Sequence, residues 1–226
     1  MTEKQIAIDG PAASGKSTVA RKVAERTGGI YVNTGDMYRA LTWRIRQENI
    51  NPKDEPDRVR ELLQKLDLQY SVNSDGEPEL LLDGEKVSQN DIRDPAVAAE
   101  VSHVAGIAEV REWLMNRQRE TRKFGLIVVE GRDIGTIVFP DADYKFFLTA
   151  SAEERARRRL GQGGETFSWD TVESVAKDIA ERDRLDSTRE VAPLRPAEDA
   201  VLIDSSDLDV DEVVEKIVSI VNGTQA

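Results

Sequence analysis

Gly10-Pro11-Ala12-Ala13-Ser14-Gly15-Lys16-Ser17-Thr18 fits the phosphate-binding loop pattern G-x-x-x-x-G-K-[ST] at every specified position. Its flanks fit as well. The apolar run Gln5-Ile6-Ala7-Ile8 ahead of it predicts a short buried strand, and Thr18-Val19-Ala20-Arg21-Lys22-Val23-Ala24 behind it predicts a helix. Glycines let successive backbone N–H groups turn inward on an anion, and the helix N-terminus adds its dipole. In that setting the Lys16 ammonium reaches β- and γ-phosphates and the Ser17 hydroxyl can ligate Mg2+. Strand, loop and helix together predict binding of a nucleoside triphosphate, without stating what becomes of it.

Further strands are predicted outward from this loop. Leu126-Ile127-Val128-Val129, Tyr144-Lys145-Phe146-Phe147-Leu148 and Ala200-Val201-Leu202-Ile203 are short apolar runs separated by helical stretches. That alternation implies an α/β fold with a parallel sheet covered on both faces. A final helix is signalled by Asp209 as cap, Glu212 three residues on, and the stripe Val213, Val214, Ile217, Val218, Val221 before Gly223. The middle of the chain differs. Leu66-Asp67-Leu68-Gln69-Tyr70-Ser71-Val72 alternates apolar and polar residues, as does Glu79-Leu80-Leu81-Leu82, with turn chemistry at Asn73-Ser74-Asp75-Gly76 and Asp83-Gly84. This predicts a small antiparallel meander inserted into the α/β domain. Residues 95–122 return to helix, with Val97, Val101, Val104, Ile107 and Ala108 on one face and Val110, Trp113, Leu114 and Arg117 continuing the pattern.

The 226 residues carry a formal net charge of −12, with 39% hydrophobic and 33% charged residues, which suits a water-soluble domain and argues against broad affinity for nucleic acid or an anionic membrane. Cysteine is absent, so neither a disulfide framework nor a thiolate metal site is available. Met1-Thr2-Glu3-Lys4 leads straight into the first strand with no signal peptide, and no apolar run approaches a membrane span, so the expected compartment is the cytoplasm.

Four clusters could carry chemistry. Asn33-Thr34-Gly35-Asp36-Met37-Tyr38-Arg39 reads as a loop leading into a helix, with Arg39 on its first turn. Glu130-Gly131-Arg132-Asp133-Ile134-Gly135 follows the Leu126–Val129 strand, at the sheet edge where ligands of open parallel sheets sit. Ser151 and Glu154 form a capping-box pattern; Arg155, Arg158 and Arg159 share a helix face, and Gly161-Gln162-Gly163-Gly164 could hinge a closing lid. Arg182, Asp186 and Arg189 recur at i, i+4 and i+7, a spacing equally suited to an ion-pair ladder. The single histidine, His103, and the tryptophans Trp43, Trp113 and Trp169 read as structural residues.

Taken together these motifs resemble bacterial cytidylate kinases, nucleoside monophosphate kinases of the P-loop class. The resemblance runs from Ile8-Asp9-Gly10-Pro11 through Asn33–Arg39, Gly131-Arg132-Asp133-Ile134-Gly135-Thr136, Val138-Phe139-Pro140-Asp141-Ala142 and Glu181-Arg182-Asp183 to Val191-Ala192-Pro193-Leu194. Two departures stand out, Asp36 where the family often has Ala and Glu130 where Asp is common; neither falls on a residue the resemblance assigns. The resemblance implies a three-layer α/β/α fold with a five-stranded parallel sheet, a nucleoside-monophosphate-binding subdomain holding a small antiparallel sheet, and a short lid. Expected boundaries are 1–35, 123–150 and 190–226 for the core, 36–122 for the acceptor subdomain with its insert at about 66–95, and 151–189 for the lid and following helix. It further implies that the whole of Gly10, Pro11, Ala12, Ala13, Ser14, Gly15, Lys16, Ser17 and Thr18 cradles ATP with Mg2+ on Ser17. Thr34, Arg39, Arg132 and Arg189 would bind the acceptor. Ser102, Arg111 and Asp133 would read cytosine, and Arg182 and Asp186 would contact ribose. Arg155 and Arg159 would act with Lys16, Arg132, Asp133 and Arg189 in catalysis.

The chemistry is compatible with this reading. Cytosine offers an N4 amino donor beside O2 and N3 acceptors, suiting a carboxylate with a guanidinium, and uracil's O4 would be repelled by Asp133. A phosphate acceptor, with a second pKa of about 6, needs no general base. The expectation is phosphorylation of CMP or dCMP by ATP, in a cytoplasmic monomer that binds neither nucleic acid nor membrane. The alternatives are a kinase with another small acceptor, where Asp133 would be a base, or a nucleotide-dependent switch.

Overall fold

Apolar strands of four to six residues, each too short to bury a face alone, are here collected into one parallel sheet. The structure is a computed structural model and describes residues 3–161, 166 and 169–223. In chain order the elements are β1 (Lys4–Asp9), α1 (Lys16–Thr27), β2 (Ile30–Asn33), α2 (Thr34–Gln47), α3 (Pro56–Leu63), β3 (Leu68–Val72), β4 (Pro78–Leu82), β5 (Glu85–Lys86) and α4 (Gln89–Ile92). There follow α5 (Pro95–Ala105), α6 (Ala108–Arg119), β6 (Leu126–Gly131), β7 (Tyr144–Thr149), α7 (Ala152–Gly161), α8 (Val172–Thr188), β8 (Val201–Asp204) and α9 (Val210–Val221).

The large sheet runs β2-β6-β1-β7-β8, all parallel, and β3-β4-β5 form a separate antiparallel sheet, as expected for the insert. Alternation along β1 divides the core. Ile6 and Ile8 face a cluster completed by Val128, Phe146, Leu148 and the apolar faces of α1 and α9. Ala7 faces the opposite cluster with Val32, Ile127 and Val129, built on α2, α3, α5 and α6 and reaching Leu68 and Tyr70 of the small sheet. The register pairs Asp9 with Gly131 and Asn33 with Glu130, so three strands deliver their carboxyl ends to one edge.

Several expectations need correction. β2 escaped the sequence reading. Residues 95–122 are not one helix: the chain breaks at Gly106 between α5 and α6 and closes in a 3-10 turn over Glu120–Phe124. α2 starts at Thr34 on the side-chain cap of Asn33, which moves Arg39 into the second turn. Only half of the Ser151/Glu154 box forms, because the Glu154 carboxylate turns to Arg158 at 2.9 Å and the Ser151 N–H donates to Ser206. The α9 box between Asp209 and Glu212 is complete. Trp43 and Trp113 pack against the core, but Trp169 is 73% exposed. Of the proposed hinge, Gln162, Gly163 and Gly164 lie outside the described residues. Among the described residues no helix is long and apolar enough to cross a membrane.

One buried carboxylate ties the strand ends together. Asp9, the last residue of β1, accepts the N–H groups of Ile134 and Gly135 at 2.9 and 2.7 Å, fixing the single π-helical turn Ile134–Val138 beyond β6. Burial raises its pKa to about 6, against the two amides and Lys16, which pull it down.

Two predictions follow from this packing. Phe146→Ala removes a ring 1% exposed and should cost about 3–5 kcal/mol, whereas Leu202→Ala, at 66% exposure on neighbouring β8, should cost under ~0.5 kcal/mol; urea unfolding of both checks this. Because the Asp9 pKa lies above its unfolded value, the stability it contributes is full below about pH 4 and is lost as pH rises through about 6. Asp9→Asn should therefore gain up to about 3 kcal/mol relative to the parent chain between pH 4 and pH 7.5. A difference independent of pH would refute the assignment.

Candidate active site

Gly10 opens the loop between β1 and α1 at φ 150, and a Cβ there would stand 2.0 Å from the Leu148 carbonyl oxygen, so only glycine lets the chain leave the sheet at this point. Lys16 begins α1 and is 5% exposed; its Nζ donates to Pro11 O at 2.6 Å and Ser14 Oγ at 3.2 Å, which keeps the ammonium inside the loop. Facing it across the sheet edge, Gly131 also leaves no room for a side chain: a Cβ would meet Thr34 Oγ1 at 2.7 Å and Ile134 Cδ1 at 2.6 Å.

Two adjoining cavities lie along this edge. The first, about 80 Å³, is lined by the loop residues Ala13 to Ser17 together with six cationic side chains, Lys16, Arg39, Arg93, Arg132, Arg159 and Arg182, against two carboxylates, Asp36 and Glu130. Burial and mutual repulsion act on these cations together. Burial and neighbouring Arg132 pull Lys16 well below its usual pKa; burial and Arg93 bring Arg39 to about 10; burial and arginine neighbours bring Arg159 and Arg182 each to about 9. The Arg182 Nε is buried without a hydrogen-bond partner among the described residues. Such a cluster in a chain of net charge −12 is a site made for a polyanion.

The second cavity, about 70 Å³, is lined by Thr34, Tyr38, Ser102, Arg111, Asp133, Asp186 and Arg189, and shares Glu130, Arg132 and Arg182 with the first. Its charged groups hold one another. Arg111 Nη2 donates to Asp133, with the guanidinium 5.5 Å from the Tyr38 ring centroid; Arg132 Nε donates to Asp186 at 2.9 Å; Arg189 lies 3.7 Å from both Asp133 and Asp186. Burial alone would raise the Asp186 pKa, but Arg132, Arg182 and Arg189 hold it below the usual carboxylate range. The ladder spacing of Arg182, Asp186 and Arg189 therefore makes both an ion pair, Arg189–Asp186, and a cavity wall.

Most of the sequence-predicted site residues meet here. Gly10, Pro11 and Ala12 stand behind the first cavity rather than in it, and Thr18 is exposed on α1. Arg155 is not among the residues lining either cavity; it donates to Ala12 O, Ala150 O and Asp183. The neighbouring Arg158 reaches Ser14 O at 3.2 Å and Ser205 Oγ at 2.9 Å. His103 is half-buried on a cleft between α5 and α8 rather than in the core. Sequence reasoning missed Arg93, which pairs with Asp36 at 2.6 Å, and gave Glu130 no part, although Asp36 and Glu130 both line the first cavity and Glu130 accepts from the Tyr31 hydroxyl at 2.5 Å. The register of β6 beside β1 is the signal that places Glu130; nothing in the spacing around Arg93 does so. Ser17, the next residue of α1, is also among the residues that line the first cavity.

Comparison with known proteins agrees with this geometry. A cytidylate kinase family profile matches residues 6–223. The chain is 51% identical over 221 residues to a cytidylate kinase of Desulforamulus reducens, covering 97% of each, and 45% identical over 216 residues to that of Bacillus subtilis, covering 96% and 95%. It is also 45% identical over 216 residues to a bifunctional pantoate ligase/cytidylate kinase of Prochlorococcus marinus, of which it spans only 41%. A shikimate kinase structure from Bacteroides thetaiotaomicron, 11% identical with a TM-score of 0.51 over 97% of this chain and 98% of its own, shares the fold. With the phosphate loop, the cationic cavity and these relatives in agreement, the chain belongs to the cytidylate kinase family.

Proposed function

We propose that this chain transfers the γ-phosphate of ATP to CMP or dCMP, giving ADP and CDP or dCDP. The single observation that carries the reading is the junction of the two cavities, a polyanion site on the phosphate loop opening into a small pocket walled by a carboxylate, a guanidinium and a hydroxyl.

The donor triphosphate lies along the loop, on the α1 N-terminus, with Lys16 turned from Pro11 O to the transferring phosphate. The Ser17 hydroxyl would help hold Mg2+, which would add to the neutralisation of the phosphate charge. Arg39, Arg132 and Arg189 hold the acceptor phosphate, and Arg159 and Arg182 stand between donor and acceptor. Since the acceptor oxygen is ionised at neutral pH, the chain's residues align and neutralise rather than abstract a proton. Asp133 accepts from the cytosine amino group, Arg111 and Ser102 address O2 and N3, and Asp186 with Arg182 faces the ribose. The Arg111–Asp133 pair is already in place, so recognition exchanges one satisfied arrangement for another rather than exposing a buried charge. Residues 36–122 form the acceptor subdomain and 151–189 the lid with its following helix.

A coupled ADP-release assay across CMP, dCMP, UMP, AMP, GMP and shikimate should show CMP or dCMP preferred; ADP release indifferent to the acceptor would refute the reading. Lys16→Ala should cut turnover by about 10²–10³-fold with the thermal midpoint nearly unchanged. Asp133→Asn keeps the shape but offers an amide that can donate to O4. It should lower kcat/KM for CMP by about 10–100-fold, leave the ATP KM within about threefold, and narrow the CMP/UMP ratio, measured from initial rates with each nucleotide varied in turn.

A further inference from the structure

Within little more than one turn, α8 addresses both halves of the site. Arg182 and Asp186 line the cavities, and Asp186 accepts from Arg132 at 2.9 Å. Asp183 points to the phosphate loop instead. Its Oδ1 accepts the Ala12 N–H at 3.2 Å, its Oδ2 accepts Arg155 Nη1 at 2.5 Å, and that same Nη1 donates to Ala12 O at 3.2 Å. Both backbone polar groups of Ala12 are thus held from the α7–α8 hairpin. The Ala12 methyl is buried against Ala156, Val175 and Ile179 of the same two helices. The next residue, Ala13, has φ 58, a conformation that costs a non-glycine residue energy and persists only where its surroundings enforce it.

We propose that Asp183, through Arg155, is a positioning residue that couples the donor site to the acceptor site. Arg182, Asp183 and Asp186 stand on one helix, so a displacement of α8 at Asp183 displaces the other two side chains with it. Triphosphate binding that settles the loop therefore moves α8 by way of Ala12 and Asp183, and α8 carries Arg182 and the Asp186–Arg132 pair with it. Each nucleotide then tightens binding of the other, and by linkage the effect is reciprocal. Arg155 is accordingly a positioning residue too, since its guanidinium is spent on Ala12 O, Ala150 O and Asp183. This rests on the proposed CMP kinase reading.

The test is calorimetric. CMP is titrated into the chain alone and into the chain saturated with β,γ-methylene-ATP. The parent chain should bind CMP about 5–100-fold more tightly with the analogue present. In Asp183→Ala that enhancement should fall to within about twofold of unity, while the Kd for CMP alone stays within about threefold. Asp183→Asn, which keeps an acceptor for the Ala12 N–H but loses the charge on Arg155, should fall between. Arg155→Ala combined with Asp183→Ala should lose no more than either alone. Full enhancement in Asp183→Ala, or none in the parent chain, overturns the coupling. Equal weakening of CMP with and without the analogue means that Asp183 merely supports the fold. A parent chain that binds the analogue but not CMP overturns the CMP kinase reading itself.

Discussion

Six positive side chains crowd one cavity at the carboxyl edge of the parallel sheet, and their mutual repulsion is the constraint around which the rest of the molecule is arranged. Guanidinium groups do not shed protons near neutral pH, so the repulsion cannot be relieved by titration of the arginines. Relief comes from partial neutralisation. Asp36 takes Arg93, and Asp186 takes Arg132. With six cations against Asp36 and Glu130 in its lining, the cavity keeps an excess of positive charge, which suits a polyphosphate ligand. The cost of assembling the cluster is met by the two apolar clusters that flank the sheet and fix its strand ends.

The second cavity solves the opposite problem. Its groups are nearly balanced, with Arg111 on Asp133 and Arg189 between Asp133 and Asp186. A buried ion pair contributes little net stability but is expensive to break on one side only. Such a pair therefore selects ligands that replace both halves of the interaction at once. On the proposed reading, cytosine, with a donor beside acceptors on one edge, would do this, whereas uracil would supply an acceptor where the carboxylate needs a donor.

The sequence was most legible where one residue's chemistry dominates its neighbourhood. The Gly10–Thr18 loop, β1 and the Asp209 cap of α9 could be read because glycine geometry and capping act over a few residues. β2 could not: Ile30–Asn33 has four residues at the sheet edge, and half of them are only partly buried, so neither length nor alternation marks it. Gly106 divides α5 from α6 because the carbonyl of His103 closes the helix there, while the apolar spacing continues past the break and hides it. Arg93 reaches the site from a turn after α4, and only the tertiary pairing with Asp36 reveals it. The contacts of Arg155 could not be read from its helix face, since one of its acceptors, Ala12 O, lies 143 residues away in sequence.

Charge and backbone meet at two carboxylates outside the cation cluster. Asp9 holds the turn that follows Asp133 by accepting two backbone N–H groups, and Asp183 holds the loop that precedes Lys16 by accepting one, from Ala12. A carboxylate that accepts backbone N–H groups fixes chain path more tightly than a side-chain pair, because the backbone has no rotamer to yield. The cations alone would leave the cavity free to widen under their own repulsion. With Asp9 on one side and Asp183 on the other, the loop and the turn that face each other across the cavity are each anchored from outside it. The repulsion is then carried by the arginine side chains, which a bound nucleotide can reorient, and not by the frame that sets the distance between donor and acceptor.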